Sequence, residues 1–226
     1  MAKATNAKGL TICFSKGAAT PTSVTPTAIS KAKPAVVTVA SVSTLAAGMI
    51  AAPIDTGFPE LDGKLFVVGN IDGTGNTFTL LGSDTTNSTA TLGTAPTINV
   101  TVDADMVCPC FSEFTINRDP PDSIDAGTFC DPSLQVASAA AAAGTFEFSG
   151  NIDVSEPSSA ATIAYTELLA AEADGLEREL RIGVPGNNGY ILAPITITLI
   201  SWEFALDQPN RFTGAGQFSS KPTHAY

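Results

Sequence analysis

LERELRIGVPGNNGYILAPITITLISWEFAL, residues 176–206, reads as two strands folded back on each other. On the first, Leu176, Leu180, Ile182 and Val184 fall on one face and Glu177, Glu179 and Arg181 on the other. That period of two marks a strand with one apolar side and one wet or interfacial side. Pro185-Gly186-Asn187-Asn188-Gly189 supplies the residues of a turn. The second strand is interrupted near Pro194, which has no N–H to give a ladder. Along it Thr196, Thr198, Ile200, Trp202, Phe204 and Leu206 alternate with Ile195, Ile197, Leu199, Ser201 and Glu203. Both faces are apolar as far as Ile200, so this strand is expected to be covered on both sides.

Upstream, CFSEFTINR (110–118) alternates around Phe114 and Ile116. GTFEFSGNIDV (144–154) puts Phe146 and Phe148 on one face, continued by Gly150, Ile152 and Val154. Both runs predict half-buried strands. Pro157-Ser158-Ser159 then opens ATIAYTELLAAEAD, where either serine can cap a helix. Ala161, Ala164, Tyr165, Leu168, Leu169 and Glu172 form one side of that helix, and Gly175 closes it.

Further towards the start, PAVVTVASV, KLFVVGNI, NTFTLLG and TINVTV are short β-branched or aromatic runs between turn-formers. Gly73 and Gly75 fit a hairpin turn, because no GxxxxGK[ST] and no helix follow them. Residues 1–33 carry Pro21 and Pro26 and no sustained alternation, apart from a short strand possibility at Leu10 to Phe14. The expected organisation is therefore an extended arm (1–34), a small inserted β module (35–105), a core (106–212) with one helix near 159–174, and a tail (213–226). Gly, Pro, Ser and Thr throughout fit a mainly β chain of many short strands.

The 226 residues carry a formal net charge of -11, which argues against gripping nucleic acid, since phosphate neutralisation needs clustered Lys and Arg. Charge is uneven: Lys3, Lys8, Lys16, Lys31 and Lys33 precede the first acid. A basic arm thus leads into an acidic body, either as a solvated terminus or as a segment that docks on another copy. No apolar stretch approaches the roughly 20 residues that cross a bilayer, and MAKATNAKGL has no apolar signal region, so a cytoplasmic origin is expected.

Catalysis finds no support. The single histidine, His224, is expected in an exposed tail, without a triad or a metal cage around it. Asp119 with Asp122, or Asp103 with Asp105, could serve a glycosidase or hold calcium, but they lack an EF-hand register and fit turns better. Cys108 and Cys110 are separated by one residue, with Cys13 and Cys130 distant, and no second pair completes a zinc site. They are expected to be structural free thiols in a reducing compartment. No cofactor is expected.

Roughly Val107 to Leu206 resembles the tail tube (major tail) protein of long-tailed bacteriophages. The residues that carry the likeness are FTINRDPPDSIDAGTFCDP, FEFSGNIDV, TELLAAEADG, LRIGVPGNNGYILAP and ITLISWEFALD, in that order. A shorter likeness to phage tail and baseplate modules lies in Leu61 to Val67 and Asn76 to Leu80. The resemblance implies a β-sandwich or half-barrel with a flanking helix, closing with five other copies into a hexameric inner β-barrel. It implies stacked rings in a virion tail, with a tape-measure protein and a tail terminator as partners and DNA only in transit. The neighbouring class is a head decoration or tail-tip component. Within the tube reading, Lys3, Lys8, Lys16, Arg118, Asp119, Asp122 and Asp125 are candidate ring-stacking contacts. Glu177, Glu179 and Glu203 are candidate lumen-facing acids, or else partners of Arg178 and Arg181 or of solvent.

Overall fold

Phe146 and Phe148 stand opposite Gly216 and Gly214 across an antiparallel ladder, and this exchange of bulk for space organises the larger of two sheets. A Cβ at Gly214 would lie 2.3 Å from the Phe148 ring, and one at Gly216 would lie 2.3 Å from the Phe146 ring. The strand can therefore approach only because these positions carry no side chain. The computed structural model describes residues 11–17, 19–109, 111–117, 144–152, 160–183, 189–203, 210–220 and 222–225. Over these residues it is mainly β, with two antiparallel sheets and one α-helix.

In chain order the strands begin with β1 (Thr11–Ser15), β2 (Thr22–Val24), β3 (Pro26–Ile29), β4 (Ala35–Val39) and β5 (Ile50–Ile54). Next come β6 (Phe66–Asp72), β7 (Thr77–Leu81), β8 (Thr97–Thr101), β9 (Met106–Val107) and β10 (Phe111–Asn117). After β11 (Thr145–Ile152) and helix α1 (Ala160–Asp174) follow β12 (Arg178–Gly183), β13 (Tyr190–Glu203), β14 (Asn210–Phe218) and β15 (Thr223–Ala225). The larger sheet runs β10-β11-β14-β13-β12-β1-β9, with β15 also on β13. The second runs β2-β8-β5-β6-β7-β4-β3.

The second sheet is rolled. β2 and β3 stand at opposite ends of its order, yet only Thr25 separates them in the chain. One residue spans about 7 Å between its neighbours' Cα atoms. The sheet's ends must therefore meet, and residues 22–29 form a kinked seam that pairs with Ile98 on one side and Val39 on the other. Val37, Ala51, Phe66, Val68, Phe78, Leu80, Ile98 and Val100 fill this small barrel. Phe58 and Leu61 plug it from the connection after β5.

In the larger sheet, α1 covers one face. Ala164, Leu168 and Ala171 are buried against Phe146, Phe148, Ile195, Ile197 and Phe212. Gly175, in the left-handed region at φ 61°, ends the helix, and Asp174 accepts the Leu176 N–H at 2.8 Å. That bond, and Arg178 beside it, hold the Asp174 carboxyl below the usual range. A bulge between Ile197 and Leu199 reverses the inside and outside of β13. Before it Ile195 and Ile197 are buried; after it Ile200 is buried and Trp202 packs edge-on against Tyr165. Glu172 accepts the Ile200 N–H at 3.0 Å, fastening the helix to the strand beyond the bulge.

The expected mainly β fold with one helix is present, but its parts are cut differently. The expected arm supplies β1, which lies between β12 and β9, and also the barrel seam. The β module accordingly begins at Thr22 rather than at residue 35. The expected tail begins inside β14, a central strand. His224 is exposed and belongs to β15, opposite Ile191.

The free-thiol expectation is overturned for two cysteines: Cys13 and Cys108 form a disulfide across 95 residues. The ladder explains it, because Phe14 faces Val107 and Ser15 faces Met106, so the next step brings Cys13 opposite Cys108. Cys110 and Cys130 lie outside the described residues.

Candidate functional site

The face of the larger sheet turned away from α1 is in two halves. Over β1, β12 and the start of β13 it is covered by the barrel. Ile50 and Val67 on the barrel's outer wall pack with Cys13, Met106 and Leu192, joined by Leu65, Leu81 and Tyr190. β5 and β6 are thus apolar on both sides, which explains the unbroken apolar run around Val67 and Val68. Polar contacts frame the patch: Arg181 donates to the Gly48 carbonyl and pairs with Asp103 at 3.0 Å.

Over β10, β11, β14 and the end of β13 the same face is open. Its residues alternate with the buried phenylalanines: Glu113 and Thr115 on β10, Glu147 and Ser149 on β11, and Arg211, Thr213 and Ala215 on β14. With Leu199 of β13 they line a shallow trough of about 360 Å³. Leu199 is 53% exposed. Glu203 stands opposite Arg211, and Arg211 donates to the Ser149 hydroxyl at 3.1 Å. Three acids, one cation and several hydroxyls thus form a polar surface that leans negative. At its margin β10 pairs only with β11 among the described strands.

The candidate lumen acids separate in this geometry. Glu203 is exposed on the open face, and Glu177 is exposed just after α1. Glu179 faces the barrel instead. Its N–H donates to the Ser15 hydroxyl at 2.9 Å, and one of its carboxylate oxygens is buried with no hydrogen-bond partner among the described residues. Burial raises its pKa above the ordinary glutamate value, the Thr101 hydroxyl opposes that shift, and nearby Glu177 adds to it. Arg178 pairs with the Asp174 carboxylate and donates to the Glu177 backbone carbonyl at 3.3 Å, and Arg181 pairs with Asp103.

Of the candidate stacking residues, Lys16 lies where the chain leaves β1. Its ammonium donates to the Ala104 carbonyl at 2.8 Å and its N–H to the Asp105 carbonyl at 2.9 Å. Lys3, Lys8, Arg118, Asp119, Asp122 and Asp125 lie outside the described residues. Glu113, Glu147 and Arg211 were not singled out in the sequence. The signal was present, since the alternation that turns Phe114, Phe146 and Phe148 towards the core places both acids on the opposite face.

No protein-family model matches the chain, and no curated protein does. Among solved structures, it is similar to a chain in the tail of an empty gene transfer agent particle, refined helically with C6 symmetry. That match has 12% identity and a TM-score of 0.40, and covers 51% of this chain and 82% of the other. A chain in the virion of a native gene transfer agent particle matches with 12% identity and a TM-score of 0.43, covering 55% of this chain and 92% of the other.

Proposed function

We propose that this chain is a structural subunit of a virion tail, assembling into stacked hexameric rings whose inner wall is the open face of β10, β11, β13 and β14. One observation carries the reading: among the described residues, a sheet packed against phenylalanines and a helix on one side leaves a polar, acid-leaning surface bare on the other, next to a margin strand with a neighbour on one side only. An exposed edge invites another strand, and closure into a ring removes it. The resemblance of Val107 to Leu206 to tail tube proteins points the same way. Glu113, Glu147 and Glu203 would face the lumen and repel DNA phosphates, so that DNA passes without sticking, while Glu177, exposed just after α1, would lie off that wall. Glu179 would serve the joint with the barrel. Residues 1–10 and 118–132 are the proposed ring-stacking segments, and the tape-measure protein and terminator the proposed tail partners.

Negative-stain microscopy of the purified full chain tests this. Tubes with sixfold symmetry and an open channel are expected, and E113Q/E147Q/E203Q should still form tubes while retaining DNA in a salt-dependent way. A chain that stays monomeric at every concentration, or one that only coats preformed capsids or baseplates, overturns the reading in favour of a decoration or tip protein.

A further inference from the structure

The chain enters the barrel from β1 and returns through β9, and these two strands are neighbours. The crossing is closed by the ladder, by both Lys16 contacts to the 104–105 segment, and by Cys13–Cys108. The bond lies under the barrel: Cys13 is 0% exposed, in the same cluster as Ile50, Val67, Met106 and Leu192. From this placement we propose that Cys13–Cys108 is a self-shielded redox latch, which holds the neck of the barrel closed and yields to thiols only when the barrel lifts from the core sheet. This inference does not depend on the tube reading.

Closing the latch needs an oxidant, and a small-molecule disulfide such as oxidised glutathione suffices. One cysteine thiolate attacks a glutathione sulfur, forming a mixed disulfide and releasing one glutathione thiolate. The second cysteine thiolate attacks the protein sulfur of that mixed bond and releases the other. The two cysteine protons end on the two released thiols. The protein pair loses two electrons and the glutathione disulfide gains them.

Opening the latch in place is hindered at both sulfurs. Cys13 is sealed from solvent. Cys108 is partly buried, but attack there must expel the Cys13 thiolate into a site closed to solvent, lined by Ile50, Val67 and Leu192 and faced across the ladder by Arg181, whose guanidinium is committed to the Gly48 carbonyl and to Asp103. A thiolate without water or an unengaged cation is a poor leaving group. Reduction therefore waits for the interface to open, and its rate reports that opening.

The full-length oxidised protein is incubated with dithiothreitol, quenched by alkylation at intervals, and digested, and the Cys13 and Cys108 peptides are followed by mass spectrometry. Reduction in native buffer is expected to be on the order of 100-fold slower than in guanidinium. Val67→Ala, which thins the barrel side of the joint, should speed it. Should that variant fail to fold, urea below the unfolding transition of the unaltered chain serves the same purpose. C110S should leave the bond intact. Equal rates in native and unfolded protein, a rate indifferent to Val67→Ala or to mild urea, or a bond from Cys13 to Cys110 or Cys130, would each overturn the latch.

Discussion

The barrel and the larger sheet are built from similar short strands, yet they treat their margins in opposite ways. In the barrel, residues 22–29 serve as both first and last strand, so the roll closes on itself and its interior fills with Val, Phe, Leu and Ile. Among the described strands the larger sheet ends in β10; across four of them it packs its helix-side face with phenylalanines and leaves the other largely polar. A closed roll needs nothing further, whereas an open sheet with one bare face is built to meet something. The lesson is that composition did not separate the two regions; the positions of small residues and of the chain's turning points did.

The sharpest way to break this comparison is to hollow one region and watch the other. Phe78→Ala removes a fully buried ring from the barrel and should cost about 3–5 kcal/mol there. Calorimetry should show the barrel melting first, with slow amide exchange persisting in β11 and β14; simultaneous loss of both would mean that the two are one cooperative unit. A smaller effect should follow Gly216→Ala in the larger sheet. The new methyl would meet the Phe146 ring at 2.3 Å and the Thr196 carbonyl at 2.6 Å, and the carbonyl cannot step aside. A loss of about 1–3 kcal/mol is expected in urea denaturation, with amide exchange in the barrel strands unchanged. A variant as stable as the unaltered protein would deny that the glycines make room for the phenylalanines.

The smallest effect concerns the joint. Glu179 has a folded-state pKa above its unfolded value, so the folded protein holds the proton more tightly. Its stabilising contribution is complete below the ordinary glutamate pKa and is lost as pH rises through the raised folded value. Denaturation midpoints measured from acid to neutral pH should fall more for the unaltered chain than for Glu179→Gln. Parallel profiles would show that this carboxylate is not the group responsible.

Much of the larger sheet could be read from residue order. The Phe146 and Phe148 alternation, the helix ending at Gly175 and the two strands around residues 184–190 each rest on local periodicity and turn chemistry. What escaped depends on distant partners. The short strand expected at Leu10 to Phe14 is present as Thr11–Ser15, but five residues cannot announce neighbours that lie near residues 106 and 180. Glu179 and Arg181 have the spacing of a wet face, and only the arrival of the barrel turns that face inward. The face change along β13 was visible as apolar residues on both sides, but the cause, one extra residue near Thr198, is set by pairing with β14. The disulfide was hidden for the same reason, since only the β1–β9 ladder brings its cysteines together.

The position of β1 also sets a timetable. Every strand of the barrel has been synthesised by Thr101, while the first residue of β12 is Arg178. The rolled unit can therefore complete its hydrogen bonding on a ribosome while Thr11–Ser15 still waits for one of its two flanking strands. A stretch from the very start of the chain becomes one of the last pieces seated, and the unit folded first hangs beside the gap it will help to cover.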